Sequence, residues 1–78
     1  MQETIKLPKR FWEDSKWAHE HLGELQEKYM NKWIAIVNKE VAGIGEDGDL
    51  ARKMAQKKTG IKEIPVVFVE SGQNLYYN

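Results

Sequence analysis

Two short segments with an apolar side chain at almost every position constrain the fold more than any other feature of the chain. They are residues 33–37 (WIAIV) and residues 64–69 (IPVVFV). Because successive side chains of a strand point to opposite faces, a strand that is apolar throughout is buried on both. The sequence therefore predicts a sheet that needs cover on both faces, with residues 33–37 as its central strand.

A helix is predicted before this strand. Apolar side chains spaced four, three and four residues apart indicate one buried stripe over about residues 14–31. Asp14 or Ser15 is expected to cap its N-terminus. Residues 1–12 are interpreted as an N-terminal arm and residues 13–78 as a single domain. The stripe consists of Ala18, Leu22, Leu25 and Tyr29.

A hairpin and a second helix are predicted after the central strand. The Asn-Lys pair at 38–39 is typical of a two-residue turn, after which residues 40–44 return as the second strand. Asp47 or Asp49 is expected to cap the following helix, and Gly60 to end it. The expected buried stripe of this helix is Leu50, Ala51, Met54 and Ala55.

The element order predicts an α+β fold: a small single domain with the order α-β-β-α-β. A fourth strand is predicted at residues 75–77, after a Ser-Gly turn at 71–72. The sheet of three or four strands is expected to be mixed or antiparallel and to be packed by two helices. Either the strand order is 2-1-3 with antiparallel neighbours, or strand 3 lies parallel to strand 2. Either the helices cover opposite faces, or both cover one face and another chain covers the other.

Size, charge and cysteine content limit the classes of function. A core within 78 residues contributes little surplus stability, about 3–5 kcal/mol, and the chain has no Cys for a disulfide or thiolate metal site. Its net charge is zero and its pI is about 6.7, which does not favour binding to nucleic acid or to an anionic membrane surface. The N-terminal residues lack the apolar region of a signal peptide. We therefore expect a cytoplasmic protein that associates with a protein partner or with itself.

Three glycines between the second strand and the second helix form a G-x-G-x-x-G pattern. These are Gly43, Gly45 and Gly48, and Glu70 lies at the end of a later strand, where a ribose-binding acid is expected in dinucleotide-binding folds. Glu46 and Asp47 would repel a pyrophosphate at the helix N-terminus. The glycines are therefore interpreted as packing and turn residues, with nucleotide or phosphate binding as the alternative.

No pattern in the sequence indicates an enzyme, a metal site or a cofactor. His19 and His21 are two residues apart, so on a helix they point to different faces and are not expected to bind one metal ion. The hydroxyl-bearing residues lie in no G-x-S-x-G pattern. We expect a protein without catalytic activity.

The N-terminal aromatic residues are the candidates for a partner surface. Large aromatic rings are enriched at protein interfaces, where they fill pockets of the partner. Trp33 is assigned to the core, whereas Phe11, Trp12 and Trp17 are candidates for contact with a partner.

The pattern from the first helix onward resembles a family of small prokaryotic domains of unknown function. The shared elements are a Y-x-x-K-W-[VI]-A-[VI]-V segment, a V-x-x-x-G strand and a P-V-x-x-V strand; here they lie at 29–37, 41–45 and 65–69. The resemblance implies a small accessory domain with a protein partner, and it supplies no catalytic residue. The leading hypothesis is thus a non-enzymatic interaction module, as a homodimer or as an accessory to another protein.

Overall fold

The computed structural model describes residues 7–70 and confirms the α+β class and the predicted order of helices and strands. The fourth strand predicted at 75–77 lies outside the described residues. The elements are α1 (Lys9–Glu20), α2 (Leu22–Tyr29), β1 (Lys32–Ile36), β2 (Val41–Gly45), α3 (Gly48–Thr59) and β3 (Val66–Val69).

The first predicted helix is divided into α1 and α2 at His21. The backbone N–H of His21 donates to the carbonyl of Trp17, and the His21 Nδ1 atom lies 2.9 Å from the same oxygen. The backbone of His21, with φ −111° and ψ 21°, departs from the α-helical conformation, and this departure separates the two helices. Helix α1 also begins at Lys9, within the segment interpreted as an arm. Asp14 and Ser15 therefore both lie inside a helix whose N-cap is Pro8, and the prediction that one of them caps the N-terminus is wrong.

The sheet has the order β2-β1-β3, and both neighbours of β1 are antiparallel to it. This confirms one of the two predicted orders and excludes the parallel pairing of strands 2 and 3. The β1–β2 turn has positive φ at both central residues, 55° at Asn38 and 61° at Lys39, as a type I′ turn requires. The pairing of β1 with β2 shifts register between Ala35 and Ile36.

The helices cover opposite faces of the sheet, so each face has a core of its own. Beneath α3 the buried side chains are mostly small: Ala35, Val37, Ala42, Ala51, Ala55 and Ile64. Beneath α1 and α2 they are Ala18, Leu25, Ile34, Ile36 and Val69. The predicted need for cover on both faces is therefore met by the helices of the chain itself.

A buried carboxylate joins α1 to the β1–β2 hairpin. Asp14 is the single buried polar or charged side chain among residues 7–70. Its two carboxylate oxygens accept hydrogen bonds from the backbone N–H groups of Asn38 and Lys39, each at 3.0 Å. A buried charge is tolerated when it is hydrogen-bonded, and hydrogen bonds to an ionised group are among the strong ones. Asp14 thus fixes the turn against the first helix.

Candidate interaction surface

The glycines of β2 allow α3 to lie directly on the strand. A Cβ atom added to Gly43 would lie 2.1 Å from the carbonyl oxygen of Ala51, and one added to Gly45 would lie 2.8 Å from the Cβ atom of Leu50. Both distances are far below any normal contact, so only glycine fits at these positions with the helix where it is. Gly43 and Gly45 are therefore packing residues of a helix–strand contact.

The third glycine, Gly48, is the first residue of α3. A Cβ atom there would lie 3.3 Å from the ring of Trp33. Asp47 is the N-cap, as predicted, and its carboxylate accepts a hydrogen bond from the N–H of Leu50 at 2.8 Å. At the other end of α3, Gly60 has φ 76° and donates to the carbonyl of Gln56, which confirms it as the C-terminal glycine.

Acidic side chains surround the N-terminus of α3. Asp49, in the first turn, pairs with Arg52 and with Lys53, whose Nζ atom lies 3.2 Å from the carboxylate. Glu46 pairs with Lys32 of β1. Glu70 follows β3, and β1 separates β3 from the glycines of β2. Strand β1 therefore lies between Glu70 on one side and the two glycines of β2, Gly43 and Gly45, on the other.

The predicted apolar stripe of α3 is only half buried. Ala51 and Ala55 are fully buried against the sheet, whereas Leu50 is 51% exposed and Met54 is 48% exposed. The prediction that Leu50 and Met54 belong to the core is wrong. The physical reason is the close approach at the glycines: only the small side chains of the stripe fit between helix and strand, and the large ones lie beside it.

Leu50 and Met54 form an exposed apolar surface at the outer edge of the sheet. They line one shallow groove together with Ile44 and Gly45 of β2, and with Lys32 and Glu46 at its rim. Because β2 is an edge strand of the described sheet, the groove lies beside a strand edge that pairs with no other described strand. We call Ile44, Leu50 and Met54 the β2-edge patch.

The aromatic residues predicted for a partner surface do not share one groove in the described part of the chain. Trp12 is 59% exposed, and the ring of Phe11 packs edge-on against it with 5.3 Å between centroids. Trp17 is half-buried, packs against the core beneath α1 and stacks on the imidazole of His21. Trp33, assigned to the core, is also half-buried and contacts the ring of Phe68.

Residues 7–70 contain no cluster of three or more His, Cys, Asp or Glu side chains that could hold a metal ion. His19 and His21 each place Nδ1 at 2.9 Å from a backbone carbonyl of their own helix, that of Ser15 and of Trp17 respectively. Over the same residues, every helix is too short or too polar to cross a membrane.

In the comparison with known protein families, residues 24–71 match a family model described as a family of unknown function, DUF5678. The matched segment is more than half of the 78 residues. The chain belongs to DUF5678. The DUF5678 segment contains the three strands and α3, and thus the β2-edge patch, whereas α1 with Phe11, Trp12 and Trp17 precedes it. No curated protein and no solved structure matches the chain. The predicted resemblance to a family of unknown function is confirmed.

Sequence reasoning identified Leu50 and Met54 of the β2-edge patch but assigned them to the core. One signal distinguishes the buried from the exposed residues of the α3 stripe. In the pairs Leu50-Ala51 and Met54-Ala55, the small residue of each pair lies opposite a strand that contains two glycines. A strand that turns two glycines toward the helix lets the helix approach closely, so that only small residues of the helix fit between them. The larger residue of each pair is then left outside.

Proposed function

We propose that this protein is a non-enzymatic interaction module of the prokaryotic cytoplasm that forms a homodimer through the β2-edge patch. The observation that carries the proposal is the exposure of Leu50 and Met54 beside β2, whose outer edge pairs with no other strand of residues 7–70. Contiguous apolar side chains at an open sheet edge are typical of association surfaces.

The charges around the patch favour a second copy of this chain as the partner. The rim has both signs, with Lys32 paired to Glu46 and Arg52 and Lys53 paired to Asp49. The chain has no net charge, so two copies do not repel each other at long range. A two-fold interface brings the same apolar patch together from both copies, surrounded by a polar rim.

The interface requires no change in the fold. Both sheet faces are already covered by helices of the same chain, so each copy enters the dimer as a folded domain. A domain of this size has little surplus stability, and association adds apolar burial that a lone copy lacks. We therefore expect the melting temperature to rise with protein concentration.

Sedimentation velocity on the wild type and on the double variant Leu50→Gln/Met54→Gln tests the proposal. We expect a dimer for the wild type and a monomer for the variant at the same concentration. Because both side chains are about half exposed, the variant is expected to remain folded, which circular dichroism checks.

Trp12→Gln is the matched control, since Trp12 is exposed to a similar degree but lies on α1. A Trp12→Gln variant that remains dimeric supports the β2-edge patch. If Trp12→Gln dissociates the dimer and the double variant does not, the interface lies at Phe11, Trp12 and Trp17 instead, and the proposed surface is wrong. A wild type that is monomeric at all concentrations contradicts self-association altogether.

Nucleotide binding at Gly43, Gly45 and Gly48 is the weaker alternative. The carboxylates of Glu46 and Asp47 lie at the N-terminus of α3, where the phosphates would bind. Isothermal titration with ATP and NAD is expected to give no heat of binding. A saturable heat of binding with either nucleotide would instead support the alternative.

A further inference from the structure

A single residue, His21, joins α1 to α2. Its backbone is not helical, whereas the residues on both sides of it are. Between residues 18 and 24 the break leaves three hydrogen bonds of a continuous helix unformed, those from the N–H groups of Leu22, Gly23 and Glu24 to the carbonyls four residues earlier. The chain therefore gives up helical hydrogen bonds at His21, and interactions elsewhere must offset them.

The sequence around the break is that of one straight helix. The apolar stripe of Ala18, Leu22 and Leu25 crosses His21 without a change of helical spacing. Helix α2 also begins without a side-chain hydrogen bond at its N-cap. Rotation of φ and ψ at His21 to helical values would join residues 9–29 in one helix and form the three missing bonds.

Two anchors on one face of α1 hold the bend in place. Asp14 and Ala18 are the buried residues of this helix, and their spacing of four puts them on the same face. The carboxylate of Asp14 accepts the hydrogen bonds from Asn38 and Lys39 of the hairpin turn. Ala18 belongs to the core that includes Ile34 of the central strand.

Helix α1 has little stabilisation of its own at its N-terminus. Its N-cap, Pro8, makes no side-chain hydrogen bond, and its first turn contains Lys9 and Arg10 but no acidic residue, the opposite of what the helix dipole favours. The DUF5678 segment begins at residue 24, so α1 and the hinge both precede it. The position of α1 therefore depends on its two anchors.

We propose that α1 is a hinged cover, which leaves the sheet by straightening at His21 into one helix with α2. In the closed form, which the structure shows, Asp14 binds the hairpin turn and Ala18 covers the sheet. In the open form the three missing hydrogen bonds are made and the Asp14 carboxylate is solvated. Ile34 then loses the cover of α1, while Leu25 keeps α2 on the sheet.

Hydrogen exchange of the full chain, read by NMR at the amides of Leu22, Gly23 and Glu24, tests the proposal. Asp14→Ala removes the anchor on the hairpin, and Glu13→Ala is the matched control, because Glu13 is an exposed acid at the neighbouring position. We expect the three amides to exchange at least about fivefold more slowly in Asp14→Ala than in the wild type and in Glu13→Ala, since only the open form bonds them. A protein that is merely destabilised would exchange faster.

Substitutions at the hinge test the same equilibrium with Asp14 in place. Alanine favours a continuous helix, so His21→Ala should slow exchange of the three amides at least about twofold, whereas His19→Ala, within α1, should not. Glycine at the hinge disfavours the continuous helix. The double variant Asp14→Ala/His21→Gly should therefore lose the protection gained in Asp14→Ala. If the double variant keeps it, straightening at His21 is not its source, and the proposal is overturned.

Equal exchange of the three amides in the wild type, Asp14→Ala and His21→Ala would also overturn the proposal. If α1 loses protection in Asp14→Ala without a gain at these amides, α1 unfolds instead of joining α2, and the hinge is refuted. Protection that rises with protein concentration means that a second copy holds α1, which contradicts a hinge within one chain. The outcome is independent of Leu50 and Met54, because α3 covers the opposite face of the sheet from α1 and α2.

Discussion

At the scale of single residues, the carboxylate of Asp14 is the group with the clearest energetic role. Replacement by Asn keeps the shape but removes the charge and one of the two acceptor oxygens facing Asn38 and Lys39. Because hydrogen bonds to a charged group contribute about 1.5–3 kcal/mol, we expect Asp14→Asn to lower the free energy of unfolding by about 2 kcal/mol in urea titrations. Glu13→Gln, at the exposed neighbouring position, is the control and should change it by less than about 0.5 kcal/mol. Equal effects of the two variants would contradict the role of Asp14.

Lys39 carries a backbone conformation that favours glycine. Its φ is 61°, and a non-glycine residue in this region costs about 1 kcal/mol. The N–H group that donates to Asp14 is retained in glycine, so Lys39→Gly should raise the free energy of unfolding by about 0.5–1 kcal/mol. Glu40 is the next residue and does not have a positive φ, so Glu40→Gly should lower the free energy of unfolding. Thermal unfolding measured on both variants shows whether each one stabilises or destabilises the protein. If both variants are destabilised, the backbone conformation of Lys39 does not favour glycine.

At the scale of elements, the contact of α3 with β2 is the least tolerant of added volume. The Cβ atom of Gly43→Ala would lie 2.1 Å from a backbone oxygen of α3, so strand and helix must move apart. We expect a loss of about 1–3 kcal/mol, typical of overpacking. Gly23→Ala is the matched control: its Cβ atom meets no described atom within 4 Å, and the gain in helix propensity should leave the stability unchanged or raise it by up to about 1 kcal/mol. A fully stable Gly43→Ala variant would contradict the close packing of α3 on β2.

The elements themselves were largely predictable, because each depends on local signals. The central strand, the Asn38-Lys39 turn, the Asp47 cap and the Gly60 terminus all agree with the structure. The break at His21 was not predictable, since neither glycine nor proline stands at this position to mark it. Nor was the burial of Asp14, because a carboxylate early in a helical pattern indicates a cap unless the hairpin that binds it is known to lie nearby.

At the scale of the whole molecule, the candidate surface depends on how close two elements approach. Periodicity alone places Leu50 and Ala51 on the same buried stripe, yet one is half exposed and the other fully buried. The distance between α3 and β2 decides between them, and this distance is set by Gly43 and Gly45, which lie on a different element. The stripe of α3 and the glycines of β2 can each be read from the sequence. That they lie against each other is known only from the structure.

The central claim is that two copies meet at Ile44, Leu50 and Met54, and methyl NMR on serial dilution of the wild type tests it most directly. We expect the methyl signals of these residues to shift with concentration while the indole signal of Trp12 stays constant. Methyl signals that do not change over the whole dilution series, or a shift at Trp12 in their place, would contradict the account.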